Sequence, residues 1–524
     1  MIKVRTFRSH SNLARLRRIA LSLPLAMLTA NGVSGAEEIL PELETYVVSA
    51  AGYEQLIQQA PASISLLTRD GIMESRVNSL AEMLAQVEGV DIGSTAGKTG
   101  GLSIGIRGMP SDYTLILIDG RRQNPAGNIT PNGFGETGTG FMPPPSAIER
   151  VEVIRGPMST LYGSDAMGGV VNVITRKDVE SWSGEVTAGG TLQQDRDFGD
   201  SGSVHWYVSG PVAGHALGMG LRGSSFHRVA SSLEFRDDSG NAVEVSRRGP
   251  SPVQADIHTL GGRLSWNPSG AHVLRLDLDG LWQRYDNSEG QLGTLGVQGY
   301  ADKLEFNRQQ ESLVHLWRTE DWVLESGITR NVTVTEGRLM PAGTPGKVPG
   351  SPRDLENTNL IFDSKLVMLM DKHTLTLGGQ FWDAEMVDGV ALAPYQFDQW
   401  AVFAEDEWRW TPSVGLTLGV RQDQHSDFGS HTSPRAYFVW NPDARWTFKG
   451  GVGMGFKAPR LDQIADGITG FTAQGTRPTI GTPGLKPETS TSGEVAVAYD
   501  NGGGFTTMLT FFRNAFEDKI ANGP

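Results

Sequence analysis

Ten histidines are scattered along this 524-residue chain, and none falls into a spacing that does chemistry. His10, His205, His215, His227, His258, His272, His315, His373, His425 and His431 make no HExxH pair, the arrangement that presents two imidazoles to one zinc ion. There is no GxSxG elbow and no glycine loop of the phosphate-binding kind. The absence of Cys removes disulfide staples and thiolate metal sites. An enzyme is therefore not expected, and the residues left to do work are charges. Arg107 and Arg155 each end a β-prone run and precede a glycine. The overall balance is acidic, at -14, whereas a nucleic-acid binder would need a clustered basic face.

The elements that must position these charges centre on residues 148–177, IERVEVIRGPMSTLYGSDAMGGVVNVITRK. Val151 to Ile154 alternates faces as a strand and ends at Arg155-Gly156-Pro157. A short helix or turn carries Met158 to Tyr162, Gly163-Ser164-Asp165 turns the chain, and Gly168-Gly169 permits a close backbone approach. Val170 to Thr175 is a second apolar strand. This wording strongly resembles the end of the plug domain of TonB-dependent outer-membrane receptors. Within that family it looks closest to the catecholate siderophore receptors that colicins of the I type also use.

The start of the chain is a targeting segment. Arg5, Arg8, Arg15, Arg17 and Arg18 precede an apolar run at 19–30, and Ser34-Gly35-Ala36 supplies small residues for cleavage. Residues 1–36 therefore read as a signal peptide, since the apolar run is short of the ~20 residues that span a bilayer. Residues 37–50 are a lead. Its β-prone run Glu44, Thr45, Tyr46, Val47, Val48, Ser49 and Ala50 resembles the TonB box, which pairs as an added strand with a periplasmic energy-transducing partner. Residues 51–178 form one α/β unit, the plug. It holds a strand at 63–67, a helix at 79–86 stopped by Gly89, a strand at 102–108, and an apolar strand at 113–119 closed by an Asp119-Gly120 hairpin.

From residue 179 onward the texture is that of membrane strands, with segments of ~10 residues carrying one apolar and one polar face. Leu274, Leu276, Leu278 and Trp282 share one face, Arg275, Asp277, Asp279 and Gln283 the other. Trp446, Phe448, Val452, Met454 and Phe456 alternate with Thr447, Lys449 and Lys457. A soluble sandwich alternates in the same way, but the connections decide for a barrel: short turns near 211–215, 267–271, 319–321, 371–372, 411–413, 441–445 and 500–503 alternate with long loops at 227–255, 284–303, 338–356 and 458–489. Trp182, Trp266, Trp317, Trp322, Trp400, Trp408, Trp410, Trp440 and Trp446 gather near strand ends as an interfacial girdle. The expected fold is an N-terminal α/β plug inside an antiparallel transmembrane β-barrel at residues 179–524. About 15 strands can be counted where the family has about 22, so roughly 150 C-terminal residues read as missing.

The resemblance implies roles for the charges. Arg107 and Arg155 match plug arginines that pair with barrel glutamates, for which Glu488 and Glu494, beside the family landmarks FKAP and GLKPE, are the candidates. A ferric catecholate is anionic, so cations near the outer mouth should steer it: Lys98, Arg121 and Arg122 on the plug, Arg247, Arg248, Arg338 and Arg353 in barrel loops. Phe134 and Phe141 could pack on catechol rings. The implied activity is active uptake of a ferric siderophore, with iron carried inside the substrate and no cofactor. The implied partners are a TonB-type transducer, the outer-membrane bilayer and, as further binders, colicins or phage. A cobalamin or other metal-chelate receptor of the same family, or a truncated adhesion site, would share the central wording. A haem receptor would carry a His between FKAP and GLKP, and residues 460–483 have none.

Overall fold

The computed structural model describes residues 46–524 apart from 51, 76, 78, 94–98, 130–136, 139–141, 178–180, 215, 232–234, 244–251, 287, 289–299, 473–476, 522 and 524. The leader expected at 1–36, Glu44 and Thr45 lie outside the described residues, as do Lys98, Phe134, Phe141, Arg247 and Arg248.

The plug is built on a five-stranded sheet in the order Ser63–Thr68, Ile148–Arg155, Gly169–Thr175, Thr114–Ile118, Arg121–Arg122. Its central strands read as continuous apolar runs because both faces are covered. Helices Arg69–Ser75 and Leu80–Leu84 bring Ile72, Leu80, Met83 and Leu84 onto Val151, Val153, Val171 and Val173. On the other face Ile64, Leu115, Leu117, Ile154 and Val170 are covered by Val47, Ala50, Ala60, Ala62, Met158 and Leu161. Asp119 and Gly120 both take positive φ, at 48° and 78°, as the hairpin signal requires.

Two elements are shorter than their sequence suggests. The helix covers Leu80–Leu84, with the Ser79 hydroxyl accepting from the Glu82 N–H at 3.2 Å. It tightens at Ala85, whose N–H returns to the Glu82 carbonyl. The alternating run 102–108 is a strand only at Gly105–Ile106, because Ile106 turns back to exchange hydrogen bonds with Met109.

The second body is a meander of 15 antiparallel strands, from Ser183–Thr191 at one edge to Thr506–Glu517 at the other. Each strand pairs with its sequence neighbour, and among the described residues the two edge strands do not pair with each other. Alternation sorts the side chains as expected. On His272–Asp286, Leu278 is 49% exposed on the outside while Asp277 and Gln283 are buried against the plug. Phe456 departs from the pattern: it is fully buried beside His431, beyond the outward apolar band. The seven short turns expected from the sequence all lie at one end; the long loops lie at the other, together with a three-residue turn at 426–428, and Trp182, Trp266, Trp317, Trp322, Trp408, Trp410, Trp440 and Trp446 border the short-turn end.

Gly169 shows how tightly the plug sheet is drawn. A Cβ there would lie 2.2 Å from the carbonyl oxygen of Ile154 and 2.8 Å from Ile106. Gly169→Ala is expected to destabilise the plug by about 1–3 kcal/mol. Limited proteolysis should show earlier cleavage in the plug with the strands of the barrel unaffected; unchanged plug protection would refute the packing argument.

Candidate functional site

Arg107, Asp119 and Asp165 are the described non-glycine plug residues with positive φ, at 53°, 48° and 73°. Left-handed backbone costs roughly 1–2 kcal/mol in such residues, and here each one aims a side chain at the barrel. Arg107 meets Glu494 at 2.7 Å, with both side chains nearly buried, and lies 4.6 Å over the Phe512 ring. Asp119 meets Arg263 at 2.5 Å while its other oxygen accepts from the Thr175 N–H at 3.0 Å. Asp165 meets Lys457 at 2.9 Å and, within the plug, Arg122 at 2.5 Å. Burial alone would push the Asp165 carboxyl up, but Lys457 and Arg122 beside it hold it below the usual carboxylate range.

The other charges named from sequence take different places. Arg155 stays within the plug, donating to the Ser65 hydroxyl and the Glu88 carbonyl, each at 2.8 Å. Among the described residues Glu488 forms no ion pair with an arginine; it accepts from the Ile520 N–H at 2.6 Å and from the Tyr113 hydroxyl. Of the four residues expected to pair, the structure thus joins Arg107 to Glu494 and leaves Arg155 and Glu488 apart. Arg121 is buried between Glu325 and Asp363, 2.5 Å from each. Arg122 donates to Asp165 and to the carbonyls of Tyr162 and Ser164. Arg353 is locked to Asp388 at 2.7 Å with 1% of its side chain exposed, and Arg338 is buried at the end of its strand. Arg121, Arg122 and Arg353 are thus engaged by carboxylates of the fold, and all four arginines are buried.

The segment at 46–50 is also seated. Tyr46–Val47 pairs with Gln55–Leu56, and Val47, Ser49 and Ala50 are buried. Every hydrogen-bonding group of Ser49 is used. Its N–H and hydroxyl donate to Glu152 at 2.8 and 2.6 Å, its carbonyl accepts from Tyr162 at 2.8 Å, and its hydroxyl accepts from Asn172 at 2.8 Å. In this state residues 47–50 complete the second face of the plug sheet.

At the long-loop end, plug and barrel enclose a cavity of about 220 Å³. Its floor is the plug turn at Ser164-Asp165 with Asp112 and Asn124, its wall Trp382 and Phe397, and its rim Arg460. The two rings meet edge to face at 5.0 Å. Lys457 reaches under the cavity to the Asp112 carbonyl at 2.6 Å. Arg460 is held by Asp462 at 3.1 Å and remains partly exposed. Aromatic faces beside a guanidinium suit a flat, anionic aromatic ligand. Among the described residues, no group of three or more His, Cys, Asp or Glu could hold a metal ion. Trp382, Phe397 and Arg460 carry no local signal for the cavity because their plug neighbours lie hundreds of residues away; Asp165 and Lys457 were visible only as parts of GSDA and FKAP.

Because its folded pKa is depressed, Asp165 contributes stability that is present above its unfolded value of about 3.9 and is lost as pH falls through the lower folded value. Hydrogen exchange across residues 157–168 should stay slow on acidification to about pH 4 and rise only below it. In Asp165→Asn it should already be fast at neutral pH. Equal protection in the variant at neutral pH would refute the role of the Lys457–Asp165–Arg122 link.

Comparison with known proteins agrees with this architecture. Residues 57–170 match the family model described as TonB-dependent receptor plug domain, and residues 189–524 match TonB dependent receptor-like, beta-barrel. The chain is 35% identical over 511 residues to the iron-regulated outer membrane virulence protein of Vibrio cholerae, covering 96% of this chain and 73% of that one. It is 28% identical over 539 residues to the ferrienterobactin receptor of Escherichia coli, covering 92% and 71%. Among solved structures, the siderophore receptor PirA from Acinetobacter baumannii superposes with a TM-score of 0.72 at 25% identity, over 87% of this chain and 71% of that one. With a plug sheet held against a barrel wall by ion pairs and both parts matched, the chain belongs to the TonB-dependent receptors of the outer membrane.

Proposed function

We propose that this receptor imports a ferric siderophore of the catecholate type, driven by a TonB-type transducer. The observation that carries the reading is the cavity at the long-loop end, where Trp382, Phe397 and Arg460 of the barrel face the plug turn at Asp165. Catechol rings would pack on the aromatic wall, and Arg460 would meet their negative charge. Lys98, Phe134, Phe141, Arg247 and Arg248 are proposed to complete the contacts from plug and loops. Iron enters and leaves as part of the substrate, so transport needs no covalent step and no resident cofactor. The names of the Escherichia coli and Acinetobacter baumannii relatives support the substrate class.

We infer the division of labour as well. Residues 1–36 direct export, 37–50 present the transducer-binding lead, 51–178 form the plug and 179–524 the barrel; the matched spans 57–170 and 189–524 support the last two.

Quenching of tryptophan fluorescence by a ferric catecholate on the purified protein tests the site. Arg460→Ala and Phe397→Ala are each expected to weaken binding roughly tenfold, equivalent to about 1.4 kcal/mol. Deleting residues 44–47 should leave binding intact and abolish uptake by iron-starved cells. Binding that ignores both substitutions would place the ligand elsewhere, and uptake that survives the deletion would remove the transducer from the mechanism.

A further inference from the structure

Arg122 belongs to the plug and Trp382 to the barrel, and the two side chains meet. The guanidinium carbon of Arg122 lies 4.8 Å from the centre of the Trp382 ring, within the roughly 6 Å over which a cation is attracted to an indole. Three acceptors hold the guanidinium there. They are the Asp165 carboxylate at 2.5 Å and the carbonyls of Tyr162 at 3.2 Å and Ser164 at 2.7 Å. The indole is fixed as well: its N–H donates to Asn359 at 3.0 Å, and Phe397 meets it edge to face at 5.0 Å. Trp382 is one of the described residues lining the cavity; Arg122 is not, and exposes 6% of its side chain. A ligand in the cavity would touch the indole and not the guanidinium.

Charge around the cavity is unevenly balanced. At the rim Arg460 is flanked by Asp462 at 3.1 Å and Asp112 at 3.7 Å, two carboxylates to one cation. Below it Asp165 stands between Lys457 at 2.9 Å and Arg122, two cations to one carboxylate. Arg421, a further cation acting on Arg122, is matched by Asp423 at 2.9 Å. Among the described residues, the positive charge left over thus lies in the buried trio, and Arg122 is its member against the wall. An aromatic face carries negative potential and repels the face of an anionic ring. A cation fixed against the indole offsets that repulsion, and does so more strongly where water is excluded.

We propose that Arg122 sets the charge preference of the cavity through Trp382. The indole, kept electron-poor by the guanidinium, takes an anionic aromatic ring ahead of a less charged ring of the same shape. This role rests on the reading that the cavity binds a catecholate, and it names the residue that selects for charge. Arg122 is a positioning residue, because it acts on the ligand through Trp382. Its plane is what stacks; an ammonium would keep the charge without the plane. Being buried, this charge is screened by salt much less than cations of the outer loops.

Two complexes of one synthetic tris-catechol ligand test the role. The iron(III) trianion and the titanium(IV) dianion share a shape and differ by one charge. Equilibrium dialysis of the purified full chain in detergent reads both dissociation constants. The native protein should favour the iron complex roughly three- to tenfold. It should do so at low salt and also at about 1 M, where the Debye length is about 3 Å. Arg122→Met, in which Asp165 keeps Lys457 as a partner, should lower the ratio to about twofold or less. Arg122→Lys should keep part of the preference. Trp382→Leu leaves the buried trio in place, yet should lower the ratio as far as Arg122→Met does. A ratio that survives either loss overturns the proposal, since the charge would then act without Arg122 or without the indole. Should Arg122→Met fail to fold, Trp382→Leu decides by the same criterion. Equal binding of the two complexes by the native chain, or a preference that vanishes at high salt, overturns the role of Arg122 alone. A native chain that binds neither complex overturns the catecholate reading and this role with it.

Discussion

A charged side chain inside a barrel has to be aimed, because missing its partner leaves two ions unpaired and away from water. Losing one member of such a buried pair costs about 3–5 kcal/mol, well above the roughly 1–2 kcal/mol of a left-handed residue. That inequality explains why Arg107, Asp119 and Asp165 tolerate positive φ. Each bends the main chain so that its side chain arrives at Glu494, Arg263 or Lys457. Three contacts at separate points on the wall fix the rotation of the plug. With it they fix the cavity, whose floor is Asp165 and whose wall is barrel. Such pairs add little net stability, since desolvation offsets most of their attraction; they specify one seating among many.

The alternation of the barrel strands was legible because a bilayer outside and a polar plug inside impose a period of two over many residues. Most turn positions were legible for the same reason, and the count of about 15 strands agrees with the 15 of the sheet. Short plug elements were less so. The run at 102–108 alternates like a strand, but the Ile106–Met109 turn takes its hydrogen bonds.

Partnership was the least legible property. Glu488 and Glu494 are six residues apart on one strand and face the same side, so alternation cannot choose between them. Height along the strand decides: Glu494 lies level with Arg107, while Glu488 sits at the strand end beside Tyr113. Arg121 and Arg122 looked like surface cations because two adjacent arginines usually are. The carboxylates that bury Arg121, Glu325 and Asp363, lie more than two hundred residues further on. No local pattern records an attachment over that distance.

The lead into the plug is gripped through main-chain atoms. Glu152 takes the N–H groups of Val48 and Ser49, while Lys365, Arg435 and Lys449 take carbonyls. Main-chain groups are the same whatever residue carries them, so this seat does not read the sequence it holds. At such positions side chains of similar size can be exchanged while the resting place of the segment is kept. Ser49 is the exception, since its hydroxyl is bound from both sides, and it marks where freedom to vary should end.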